Sequence, residues 1–201
     1  MKRITIITLL LLAALSAFGQ KRVYLNKGDT YEDIFVVNLG TEENPVLEMS
    51  IQMYLISDSD TTFVVFSEKD FENAATYFRA VTDVYDKERA NARRNKVERL
   101  DKPIDLYPPE LRIRWTQHPK SDRWSEWRQI RTYQTEITHD LPLVFNVTKG
   151  IPLVVGEFQV LDENDPEVMG FIHFLLDSKS LKTINRCIRP ENIWRVFEKR
   201  K

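Results

Sequence analysis

Three of the chain's four tryptophans, Trp115, Trp124 and Trp127, fall within thirteen residues and are flanked by Arg112, Arg114 and Arg128. A guanidinium over an indole face gains roughly 0.5–2 kcal/mol, depending on how far the pair is desolvated. Exposed, such rings with polar neighbours can grip sugars or protein surfaces; buried, they are core or sheet-covering residues. These six residues form the candidate ligand or partner face, and no other cluster competes with it.

Catalytic patterns leave traces in a sequence, and few are present. The chain has no G-x-S-x-G elbow, H-E-x-x-H helix, glycine-rich phosphate loop or G-x-G-x-x-G turn. Beyond residue 19 it holds five glycines, a low share for loops that must bring backbone close to phosphates or oxyanions. His118, His139 and His173 share no helix or strand spacing, and with one cysteine they predict no zinc site. His173, inside GFIHFLL, reads as a hydrogen-bonded sheet residue, and His139-Asp140 as a turn or cap. The acidic run DENDPE (162–167) lacks the ligand alternation and central glycine of a calcium loop, so it reads as a hairpin turn. Asn146-Val147-Thr148 matches a glycosylation sequon but lies in an apolar strand candidate. Cys187, beside Ile184 and Ile188, reads as a buried, inert thiol. No catalytic, metal or cofactor residues are assigned.

Trp124-Ser125-Glu126-Trp127 resembles four of the five residues of the WSxWS box of class I cytokine receptors, where tryptophans and arginines of a fibronectin-type module stack into a ladder. The fifth position here is Arg128, and the paired cysteines of that family and of thrombospondin repeats, which also use WSxW, are missing. The resemblance stops at those four residues, and no family is assigned from it.

The elements that must carry these residues can be read from periodicity. Residues 47–56 (LEMSIQMYLI) and 61–66 (TTFVVF) predict a hairpin about SDSD, and 33–39 (DIFVVNL) predicts another strand. Ser67 and Asp70 resemble a capping box, after which Phe71, Ala74, Ala75, Phe78, Val81 and Tyr85 step by threes and fours along one helix face. Beyond Tyr85 the helix-forming run DKERANARRNKVER has only Ala90, Ala92 and Val97 to bury, which implies a solvent-facing, partner-meeting or frayed end. Three prolines in 100–109 (LDKPIDLYPP) predict an extended or turning connection. Three apolar runs follow, at 141–147, 151–161 and 168–176, the first two joined by a Lys149-Gly150 turn. Asp177 or Ser178 is expected to cap a helix with Leu181, Ile184 and Ile188, and Pro190 to open a last one with Ile193, Trp194 and Phe197. For the tryptophans two geometries exclude each other. In one, LRIRWTQ pairs with WSEWRQIRTY about HPKSDR; in the other, Trp124, Trp127, Ile130, Gln134 and Ile137 form a helical stripe. The hairpin is preferred. The expected class is α+β: a mainly antiparallel sheet, one long helix in the first half and short helices at the C-terminus.

Lys2, Arg3, an apolar run over 4–18 and Ala17-Phe18-Gly19 predict a signal peptide over 1–19, leaving 20–201 as a single domain. The fifteen apolar residues fall short of the roughly 20 that span a bilayer, and no integral membrane segment is expected after cleavage. The leader resembles bacterial export signals, which implies a periplasmic or extracellular protein. One cysteine precludes an internal disulfide, so a hydrophobic core must hold the fold. Without Lys2 and Arg3 the net charge is about −3, unevenly spread: residues 29–72 hold eleven acidic residues and only Lys69 as a cation, whereas 87–131 and 179–201 are rich in bases. The expected function is non-enzymatic binding of a protein or cell-envelope polymer, with no nucleic acid as partner. The alternatives are an exported hydrolase using carboxylates, and a structural or assembly subunit using the polar half of the long helix.

Overall fold

Residues 47–55 alternate so that Leu47, Met49, Ile51 and Met53 share one face, and all four are buried. This strand is the centre of the fold. The computed structural model describes residues 22–28, 33–41, 43–55, 60–117, 131–137, 142–162 and 165–198. In chain order the elements are β1 (Val23–Asn26), β2 (Ile34–Asn38), β3 (Leu47–Leu55), β4 (Asp60–Ser67), α1 (Phe71–Arg94), β5 (Arg99–Ile104), β6 (Leu111–Gln117), β7 (Arg131–Ile137), β8 (Leu143–Thr148), β9 (Ile151–Asp162), β10 (Asp165–Leu176), α2 (Ser178–Cys187) and α3 (Pro190–Glu198). The class is α+β as expected, with the long helix in the first half and short helices at the end.

The strands make two antiparallel sheets. One runs β1–β2–β3–β4–β6–β7, the other β5–β8–β9–β10. They meet at a short seam in which β10 pairs with β3 through Phe174↔Leu55 and Leu175↔Tyr54. The β2 register ends at Ile34↔Ile51, so the far end of the same β3 edge is left for β10. The β8–β9 connection is the expected Lys149-Gly150 turn; φ is 52° and 73° at the two residues, the left-handed pair a two-residue hairpin requires.

The α1 stripe expected from its spacing is buried in full, and it packs with the inner faces of both sheets and with Leu181, Ile184, Ile188 and Ile193 in one apolar core. The helix continues well past Tyr85. Its second half is held from inside the chain: Glu88 is buried and accepts a 2.7 Å bond from Lys102 Nζ, and the Tyr85 hydroxyl donates to the Pro152 carbonyl at 3.2 Å. Arg89 covers the Tyr85 ring and donates to Ser178 Oγ at 3.3 Å. At the other end, Ser67 Oγ bonds the Asp70 carboxylate at 2.7 Å rather than a backbone amide, and a single 3-10 turn, Glu68–Asp70, precedes α1.

Part of the proline-rich connection is a strand. β5 carries Pro103 opposite Val144, tolerated because β5 is the last strand of its sheet and proline removes a donor only from an edge. Asp177 caps α2, its carboxylate accepting from the amides of Lys179 at 2.8 Å and Ser180 at 2.7 Å, and Pro190 opens α3.

Candidate functional site

The tryptophan–arginine residues divide between described and undescribed segments. β6 pairs in full register with β7, from Leu111↔Ile137 to Gln117↔Arg131. The hairpin is therefore real, but the partner of LRIRWTQ is RTYQTEI and not the tryptophan-bearing residues themselves. A helical stripe running on through Gln134 and Ile137 is excluded by the same pairing. On β6, positions 112 and 114 stand in register with Val65 and Phe63, and position 115 with Thr62. Strand alternation thus puts positions 112 and 114 on one face of the sheet and position 115 on the other. Trp124, Trp127 and Arg128 lie outside the described residues, as do His118 and His139-Asp140.

Other sequence candidates have structural partners. His173 Nδ1 lies 3.1 Å from Glu157 Oε2, its cross-strand neighbour between β9 and β10. Asn146, the sequon residue on β8, donates to Asp101 Oδ1 at 2.6 Å and accepts from Thr148 Oγ1 at 2.9 Å. Cys187 is buried with its sulfur 3.7 Å from the Leu25 carbonyl. Burial pushes its thiol up in pKa, only partly offset by Arg186. Among the described residues no three His, Cys, Asp or Glu side chains are grouped to hold a metal ion.

A groove that periodicity did not reveal lies between the start of α1 and the extended residues 106–110. Asp70, Asn73, Thr76, Tyr77 and Ala80 follow the three- and four-residue steps that place side chains on one helical face. Leu106, Tyr107, Pro108, Pro109 and Glu110 form the opposite wall, where the prolines keep the backbone extended. The volume is about 530 Å³, within the range of small-ligand sites. Lys69 ties the two walls, its ammonium 2.6 Å from Glu110 Oε2, and this bond holds the Lys69 pKa above its ordinary value.

The two tyrosines play different parts. Tyr77 is only 5% exposed, edge-on to Phe78, and burial pushes its phenol well above the ordinary range. It is neutral and fixed. Tyr107 is 77% exposed, the most exposed large hydrophobic side chain among the described residues, although Pro108 next to it is buried. A large ring held out between a buried backbone anchor and a groove is positioned to stack on a ligand. Among the described residues no basic side chain lines the groove, and the acidic groups lining it are Asp70 and Glu110. With Glu110 paired to Lys69 and Asp70 bonded to Ser67, such a surface suits neutral hydroxyl-rich groups. The LYPP run was the available signal for it: an aromatic next to two prolines. Its other half, 30 residues earlier on a helix, carries no mark of the convergence.

Compared with known proteins, the chain matches no family model, no curated protein and no solved structure.

Proposed function

We propose that the chain is an exported, non-enzymatic binding module for a macromolecular or cell-envelope partner, and that it engages this partner through the groove of Tyr107, Tyr77, Asp70 and Glu110. The observation that carries the reading is Tyr107, a large ring kept at 77% exposure over a groove of about 530 Å³. Burying such a ring under a ligand recovers about 25 cal/mol for each Å² of apolar surface covered. Asn73 and Thr76 supply hydrogen-bonding groups of the kind glycan hydroxyls use. The leader-like sequence over 1–19 supports export.

The test is a binding screen of the folded protein against cell-envelope glycans and extracted envelope proteins. Wild type, Tyr107→Ala and the double variant Trp124→Ala/Trp127→Ala are compared at matched thermal stability. Loss of binding in Tyr107→Ala alone supports the groove. Undiminished binding in Tyr107→Ala removes it.

The hydrolase alternative finds two carboxylates, Asp70 and Glu110, in the lining of this groove. Both are already engaged, Asp70 by the Ser67 hydroxyl and Glu110 by Lys69. Release of products from an envelope glycan by wild type but not by Asp70→Asn would favour catalysis over binding.

A further inference from the structure

Several cations of the described structure are neutralised by carboxylates close by: Lys69 by Glu110 at 2.6 Å, Arg89 by Asp86 at 3.0 Å and Lys102 by Glu88 at 2.7 Å. The cations of the C-terminal helices have no such carboxylate among the described residues, as is also true of Arg79, Arg93 and Arg94 on α1, and they are grouped on one exposed surface. Lys179, Lys182 and Arg186 succeed one another at three- and four-residue steps on the exposed face of α2, away from the face that buries Leu181, Ile184 and Cys187. Arg189 follows in the α2–α3 connection and Arg195 stands on α3, both exposed. None of these five forms an ion pair among the described residues.

Local bonds draw them together. Asn192 Nδ2 donates to the Arg186 carbonyl at 2.7 Å, and Arg195 Nη2 donates to Asn192 Oδ1 at 3.1 Å, so one asparagine holds the α3 cation at the end of α2. Arg186 Nη2 also donates to Asn26 Oδ1 at 3.4 Å, which brings in the end of β1, where Lys27 follows. Trp194, next to Arg195, is 38% exposed. In sequence, residues 179–201 hold eight bases against Glu191 and Glu198.

Helix stability explains part of this charge and not the rest. Arg186 sits in the last turn of α2, where the helix dipole favours a cation, but Lys179 and Lys182 occupy the first turns, where it opposes one. Among the described residues neither lysine's side chain has an ion pair that offsets this placement. An exposed run of unpaired cations with an indole at its margin is the composition of a surface that meets anionic headgroups, with tryptophan seated at the interface.

We propose that the exposed face of α2 and α3, built from Lys179, Lys182, Arg186, Arg189, Arg195 and Trp194, docks the protein on an anionic lipid bilayer. This face is separate from the acidic, aromatic groove of Tyr107, so either surface can fail without the other. Among the described residues the groove's lining has no base and the helical face has unpaired bases, which suits a protein that lies on a membrane while holding a different partner.

The experiment is co-sedimentation with vesicles of phosphatidylcholine alone or with about one third phosphatidylglycerol. The chain used begins at Gln20, which retains every described element and keeps the apolar run of 4–18 from binding lipid on its own account. Wild type is expected to sediment with the anionic vesicles only and to be released at about 0.5 M salt. Lys179→Glu/Lys182→Glu is expected to lose at least about tenfold in affinity. This variant should fold as well as wild type, since glutamate in the first helical turns is favoured by the dipole. Trp194→Ala is expected to weaken binding to the anionic vesicles at low salt as well, because the indole's apolar contact is not screened by salt. Equal sedimentation with neutral vesicles, undiminished binding of the double reversal, or tighter binding to soluble polyphosphate than to anionic vesicles would each overturn the proposal.

Discussion

Gly156 on β9 faces Phe174 on β10 across a register pair, and the Phe174 ring lies where a side chain at 156 would be. A Cβ built at Gly156 would stand 2.0 Å from Phe174 Cζ and 2.1 Å from Cε1, against an ordinary contact of 3.4 Å or more. The ring must therefore move by about 1.4 Å to admit one methyl group, and it is fully buried, so the motion is into packed neighbours. Phe174 is also one of the two β10 residues that pair with β3, so displacement strains the seam between the sheets. Overpacking of this kind costs about 1–3 kcal/mol, a fall in Tm of roughly 2–12 °C for a domain of this size. Gly156→Ala should be followed by thermal and urea unfolding beside Phe174→Leu and the double variant. Because the shorter side chain vacates the contested volume, the double variant should be less destabilised than the sum of the two by at least about 0.5 kcal/mol. Strict additivity, or an unchanged Tm for Gly156→Ala, would show that the ring is not what excludes a side chain at 156.

Further expectations follow from single sites. Lys102→Met leaves the buried Glu88 carboxylate unpaired and should cost about 1 kcal/mol at neutral pH, Lys102 being half exposed. The Lys102 bond depresses the Glu88 pKa, so the pair contributes above the ordinary carboxylate pKa and its contribution fades as pH falls through the depressed value. Urea titrations of wild type and variant should therefore converge once the pH has fallen through that depressed value. Tyr77 behaves oppositely: burial raises its pKa, so the fold loses stability as pH climbs above about 10, and Tyr77→Phe should flatten that loss in alkaline unfolding curves. Ser50 Oγ is buried with no hydrogen-bond partner among the described residues, so Ser50→Ala should hold or raise Tm, and a loss above about 0.5 kcal/mol would reveal a bond to that hydroxyl. Asp177→Ala removes both amide contacts at the start of α2 and should cost about 0.5–2 kcal/mol by the same assay.

The legible parts of the fold were those with local causes. Alternation marked β2, β3, β4, β8, β9 and β10, and the threes and fours from Phe71 to Tyr85 marked α1. β1 went unseen because four residues after a polar start carry too little alternation to register. The Leu100–Pro109 stretch read as a connection because its prolines and charges mask β5, and only an edge position makes Pro103 tolerable there. Beyond Tyr85 the sequence offered α1 only Ala90, Ala92 and Val97 to bury, and of these Ala92 is buried and Val97 packs against the core. The helix's further support is polar: Lys102 meets Glu88, and Pro152 receives the Tyr85 hydroxyl, from strands that follow in the chain. The tryptophan cluster drew attention by composition, whereas the groove drew none, its two walls being unexceptional when read separately.

Residue order alone therefore settled the class, the main elements, the Lys149-Gly150 turn, the lone thiol and the missing catalytic motifs, all of which depend on side-chain chemistry within a few positions. The split of Arg112 and Arg114 from Trp115 needed only the strand's period once the strand was established. What awaited the tertiary structure was every pairing between distant segments: the β3–β10 seam, the Gly156–Phe174 contact, and Lys69 reaching Glu110 to close the Tyr107 groove. Those depend on which faces meet when the core forms, and burial of an apolar face is a non-directional force that names no partner in advance.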